Sequence, residues 1–148
     1  MHRDDLTARI LDAKRTKALS WNAIAEHVGL DSPIIITAAL LGQMRLSPEQ
    51  AARAASLLDL SDAEATMLTE VPYRGSLPPG PPTDPLIYRF YELVQVYGTT
   101  WKALIEEEFG DGIMSAIDFN MTIAREPNPK GDRVRIEMSG KFLPYGRY

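Results

Sequence analysis

The side chains best suited to chemistry lie in the stretch Tyr88-Arg89-Phe90-Tyr91-Glu92. Arg89 and Glu92 are three residues apart, a spacing that brings both to one face of a helix. In water such a pair is a surface ion bridge worth about 0.5 kcal/mol. Among aromatic rings, and desolvated by them, Glu92 would instead fix the guanidinium fork and leave its remaining donors for an anion. A second candidate is Ser115, a hydroxyl among apolar neighbours in Ile113-Met114-Ser115-Ala116-Ile117. A buried serine usually bonds its own backbone. As a nucleophile it would need a base, and no histidine follows residue 27. The chemical role left to Ser115 is a hydrogen bond to a bound anion.

Other constellations carry less. His27 has only Glu26 beside it, which points elsewhere on a helix, so a surface or half-buried residue is expected rather than a ligand or base. Glu106-Glu107-Glu108 are consecutive. Successive helical side chains diverge by about 100°, so these carboxylates do not converge on a metal. Gly110-Asp111-Gly112 reads as a turn rather than a phosphate cradle. The chain has no cysteine, which excludes disulfides, iron–sulfur clusters and thiolate catalysis.

Composition bounds the setting for these residues. With 148 residues, 45% apolar and 24% charged, the chain is globular, long enough for one ordinary domain or two small ones. A net charge of -4 argues against a nucleic-acid or anionic-membrane surface, which needs clustered cations. No apolar run approaches the ~18–20 residues that span a bilayer, and Met1-His2-Arg3-Asp4-Asp5 is not of signal-peptide type. A cytoplasmic protein is expected.

Proline divides the chain. Pro72, Pro78, Pro79, Pro81, Pro82 and Pro85, with Gly75 and Gly80, exclude a helix interior or central strand. Residues 73–82 therefore read as a stiff connector between a domain at 1–72 and a domain at 83–148. The first domain reads as five short helices. Leu6, Ile10 and Ala13 share a face of the first. Ser20 caps the second, which Gly29 stops, and Ser32-Pro33 opens the third, running through Leu41 to Gly42. Ser47-Pro48-Glu49-Gln50 and Ser61-Asp62-Ala63-Glu64 are capping boxes for the last two.

Beyond the connector, Thr83-Asp84-Pro85 starts a helix that Gly98 is expected to stop. Thr99 or Thr100 then caps another, from Trp101 to Phe109, ended by Gly110. The period changes to two at Phe119, Met121 and Ile123, and again at Val134, Ile136 and Met138. Asn128-Pro129-Lys130-Gly131-Asp132 between them is a turn. The fold class is thus α+β, mainly α, ending in a β-hairpin. A lone hairpin is hardly stable in water, so it is expected to pair with another subunit.

The segment from Ser20 to Leu30, followed by a capped helix, has the shape of a helix-turn-helix of the lambda-repressor-like kind. The would-be reading helix, Pro33-Ile34-Ile35-Ile36-Thr37-Ala38-Ala39-Leu40-Leu41, offers no Arg, Lys, Asn or Gln to base edges. Residues 1–72 carry seven Lys and Arg against ten Asp and Glu, a poor balance for DNA. Nucleic acid is not expected as a partner. A DNA-binding regulator with a C-terminal oligomerisation module is the alternative reading.

Several longer motifs in sequence order resemble the cyanate hydratase (cyanase, cyanate lyase) family. They are Pro82-Thr83-Asp84-Pro85, Tyr88-Arg89-Phe90-Tyr91-Glu92, Gln95-Val96-Tyr97-Gly98-Thr99-Thr100, Lys102-Ala103-Leu104-Ile105, the run from Phe109 to Phe119, and Gly140-Lys141-Phe142-Leu143-Pro144. The resemblance is strongest over residues 82–119 and continues more loosely through Thr37-Ala38-Ala39-Leu40-Leu41-Gly42-Gln43. It implies bicarbonate-dependent conversion of cyanate to ammonia and carbon dioxide, with no metal or organic cofactor and bicarbonate as co-substrate. It further implies a homo-oligomer, a decamer built from dimers, with active sites between subunits. The family's catalytic Arg, Glu and Ser fall on Arg89, Glu92 and Ser115. One departure is Ser76, where some members carry cysteine. It touches none of the three site residues.

Overall fold

The computed structural model describes residues 1–29 and 32–146. The chain divides into two compact units, Met1–Ser76 and the remainder from Leu77. Leu30, the last residue of the helix-turn-helix-like segment, lies outside the described residues. Among those described, no single helix is long and apolar enough to cross a membrane.

The first unit is five helices: α1 (Arg3–Thr16), α2 (Trp21–Val28), α3 (Pro33–Leu40), α4 (Pro48–Leu58) and α5 (Asp62–Thr69). Their starts are written in local chemistry. Ser20 Oγ accepts from Ala23 N at 3.0 Å and Ser32 Oγ from Ile35 N at 3.3 Å. Both expected capping boxes are made: Gln50 Oε1 accepts from Ser47 N at 2.9 Å, and Glu64 Oε2 from Ser61 N at 2.8 Å. Helix α3 ends in a Schellman arrangement, Gln43 N bonding Ala38 O and Gly42 N bonding Ala39 O, with Gly42 at φ 82°. Leu6, Ile10, Ile24, Val28, Ile36, Leu40, Leu58 and Leu68 form the core. Ile36, Ala39 and Leu40 of α3 are therefore packing residues. His27 is exposed. Arg3 ties three helices together, its guanidinium donating to Ala39 O and Met67 O, each at 2.7 Å.

Glu64 is buried at the start of α5. Hydrogen bonding from the Ser61 backbone N–H, then from its hydroxyl and with Arg9 at 3.1 Å, outweighs burial and holds its carboxyl below the ordinary carboxylate range. Because the folded value is depressed, the contribution is present above the unfolded carboxylate pKa and disappears as pH falls through the folded one. Glu64→Gln is expected to lose about 1 kcal/mol at neutral pH, the difference between a charged and a neutral acceptor. It should also flatten the fall in stability below about pH 4. Urea unfolding followed by circular dichroism at several pH values checks both.

The second unit is one long helix and a hairpin. Asp84 Oδ1 accepts from Leu86 N and Ile87 N at 2.9 and 3.0 Å, and Pro85 occupies the first turn of α6 (Pro85–Phe109). The expected break at Gly98 is not made, nor does Thr99 or Thr100 cap a second helix: α6 continues through all three for 25 residues. A glycine inside a helix costs only about 1 kcal/mol. Across it, the Tyr97 and Trp101 rings stack at 6.4 Å and Lys102 pairs with Glu106 one turn on. The stop comes at Gly110, where φ is 93°.

Strands β1 (Gly112–Glu126) and β2 (Arg133–Pro144) form a two-stranded antiparallel sheet. The turn is fixed by Asn128, whose Oδ1 accepts from Lys130 N at 2.9 Å, by Gly131 at φ 117°, and by the Arg125–Asp132 pair at 2.7 Å. Pairing begins well before the alternating run at Phe119. It is interrupted between Met114 and Phe119, where the register shifts. The ring of Phe109, ending α6, meets Phe142 at 5.3 Å.

Candidate active site

Arg89 and Glu92 sit in the early turns of α6, and both are exposed. The expected ion pair between them is not formed. The Arg89 guanidinium lies over the Tyr88 ring instead, 5.9 Å from its centroid. Tyr88 and Phe90 are themselves exposed in the chain, so no apolar wall desolvates the pair and its gain in water is small. Tyr91 tilts against Tyr88 at 6.0 Å, extending the aromatic surface beside the arginine.

Ser115 has the opposite environment. Only 4% exposed, it opens the interruption in β1. Its Oγ accepts from Ile117 N at 3.0 Å and from Asp118 N at 2.9 Å. The preference of a buried serine for its own backbone is thus realised, with a chemical consequence. A hydroxyl has two lone pairs and one proton. Both lone pairs are engaged, and the proton has no acceptor among the described residues. The hydroxyl can therefore only donate to a further ligand, which suits an anion and disfavours a nucleophile.

The three candidates are not brought together within one chain. Phe109, where α6 ends, is about 30 Å along the axis from Arg89 at 1.5 Å per residue, and the six residues on to Ser115, at no more than ~3.6 Å each, are too few to return it to Arg89. No hydrogen bond or ion pair joins Ser115 to Arg89 or Glu92 among the described residues. Helix α6 has no buried residue at all. Leu86, Leu93, Val94, Val96, Trp101 and Leu104 stand exposed on it, and Ile117 beside Ser115 is 98% exposed. Apolar area of this extent on one helix and one hairpin is an interaction surface. The sequence reading missed the β1 interruption, whose only written signal is Gly140 inside an alternating strand.

Among the described residues no three acidic or imidazole side chains converge as a metal-binding group. Of the acidic triplet, Glu106 is taken by Lys102.

Comparison with known proteins is unambiguous. The family model described as "Cyanate hydratase, N-terminal" matches residues 3–72, and that described as "Cyanate lyase C-terminal domain" matches residues 79–147. The chain is 61% identical to the cyanate hydratase of Dechloromonas aromatica (strain RCB) and 62% identical to that of Methylibium petroleiphilum, over the full length of both partners in each case. Its fold is similar to the crystal structure of cyanase from T. urticae, with a TM-score of 0.80 and 38% identity, covering 94% of this chain and 96% of that one. The DNA-binding alternative finds no support in these matches. With both halves matched and identity near 60% from end to end, the chain belongs to the cyanate hydratase family.

Proposed function

We propose that this chain decomposes cyanate with bicarbonate, giving carbamate and carbon dioxide, the carbamate then yielding ammonia and a second carbon dioxide. Residues 83–148 are the catalytic and dimerisation domain, 1–72 the supporting bundle and 73–82 the connector. The observation that carries the reading is the Ser115 hydroxyl, a buried donor with its lone pairs already occupied and no acceptor for its proton among the described residues.

The physical problem is to join two anions. Held about 4 Å apart they repel by ~4 kcal/mol at an effective dielectric near 20. A site that joins them must supply fixed positive charge and donors. One guanidinium is little for a dianionic adduct, so copies of Arg89 from several subunits are gathered with Ser115 hydroxyls and nearby backbone N–H groups. The unburied α6, the separation of Arg89 from Ser115 within one chain and the unpaired hairpin edges all support this shared site. Oligomerisation is then part of the mechanism, and a decamer built from dimers is the assembly expected.

In the reaction, a bicarbonate oxygen attacks the cyanate carbon. The bond from the bridging oxygen to the bicarbonate carbon then breaks, releasing carbon dioxide and leaving carbamate. The nitrogen gains two protons on the way to carbamate, one from bicarbonate itself and one from outside the two substrates. Carbamate takes one more as it breaks down. Glu92 either orients Arg89 or passes one of these protons. Catalysis comes mostly from positioning and electrostatic stabilisation. No organic cofactor enters this scheme, since bicarbonate is a co-substrate. Ammonia release from cyanate, measured with and without added bicarbonate, tests it. Release only when both are present is expected, and release independent of bicarbonate would contradict it.

A further inference from the structure

Met114 pairs with Phe142 and Phe119 with Gly140, so four residues, Ser115 to Asp118, stand opposite Lys141 alone. This is an irregular bulge of four residues against one, and bulges re-aim side chains beside functional sites. It closes over Gly140. A Cβ at that position would lie 2.3 Å from the Ser115 carbonyl oxygen, 2.7 Å from Met114 Cγ and 3.3 Å from Phe119 Cδ2. The nearest of these is backbone and cannot swing aside. Gly140 is not among the residues of positive φ, unlike Gly131 in the turn, which has nothing within 4 Å of a would-be Cβ. Conformational freedom explains Gly131. Space explains Gly140.

We propose that Gly140 is a positioning residue for the anion site: its missing side chain lets β2 press against the Ser115 peptide and so sets the bulge that aims the Ser115 hydroxyl. The inference rests on the reading of Ser115 as an anion donor. Ordinary Cβ contacts begin at 3.4 Å, so an alanine drives the Ser115 peptide back by about 1 Å. A displacement of that size at a reacting group costs about 100-fold in rate. It would also part Oγ from the Ile117 and Asp118 amides that lock it.

The test is Gly140→Ala in the full-length assembled protein. The expected result is a fall of about 100-fold in kcat/KM, with oligomer size by sedimentation unchanged. Amide exchange should accelerate at Ile117 and Asp118 while protection at Met121–Ala124, further along the same strand, is retained. Added to Ser115→Ala, the substitution should cost little more, because both act through one hydroxyl. Full additive loss, normal activity, unchanged exchange at residues 117 and 118, or failure to assemble would each overturn the proposal. If Ser115→Ala alone is silent, the anion role of Ser115 fails, whereas the exchange measurement still judges the link from Gly140 to the bulge.

Discussion

Arg89→Lys is expected to lower kcat/KM at least 100-fold while leaving the oligomer assembled. The substitution keeps the charge, so simple attraction of anions to the site survives. It removes the planar fork, which can hold two oxygens of one anion at once and remain stacked on Tyr88. Loss of one fixed donor aimed at developing charge costs about 10²–10³ in kcat, some 2.7–4 kcal/mol. Where several copies of Arg89 share a site, each copy lost adds to the effect. Because the side chain is exposed and unpaired in the chain, folding of the subunit does not depend on it. Steady-state ammonia release alongside sedimentation checks both halves, and near-normal turnover would remove Arg89 from the site.

Ser115→Ala is expected to cost a further 10²–10³-fold by the same reasoning, through a different failure. Alanine deprives the bound anion of its donor and leaves the Ile117 and Asp118 amides without their acceptor. Two hydrogen bonds are lost, each worth about 0.5–1.5 kcal/mol net, so the melting temperature should fall as well. Activity and stability are separated by Ser115→Thr, which retains the hydroxyl. Threonine should restore a substantial part of turnover. If the hydroxyl only satisfied backbone, Ser115→Ala would lower the melting temperature and leave kcat/KM intact.

Much of the first unit could be read directly because its helix boundaries are local chemistry. Ser20, Ser32, Ser47 and Ser61 each cap the helix expected of them, and Gly42 ends α3. Gly98 misled for an equally physical reason. Glycine is a helix stop only where the chain takes up positive φ, and at Gly98 the stacking of Tyr97 on Trp101 across the position favours continuing. The bulge at Ser115 was invisible because it depends on how closely β2 approaches, a long-range fact recorded only in Gly140. The Arg89–Glu92 spacing was legible, but the pair is not made, since nothing in one chain desolvates it. In the site proposed above, the environment of Arg89 would come from other copies of the chain, where one sequence is no longer enough to read it.

That last point is also the central claim: the anion site takes Arg89 and Ser115 from different subunits. It is tested by mixing two inactive parents, Arg89→Lys and Ser115→Ala, dissociating them together and allowing them to reassemble. Hybrid oligomers should contain some sites with an intact arginine from one parent and an intact serine from the other. Ammonia release from cyanate and bicarbonate well above either parent alone is the predicted result. Activity no greater than the sum of the parents, with mixed oligomers demonstrated by mass spectrometry, would contradict a site shared among chains.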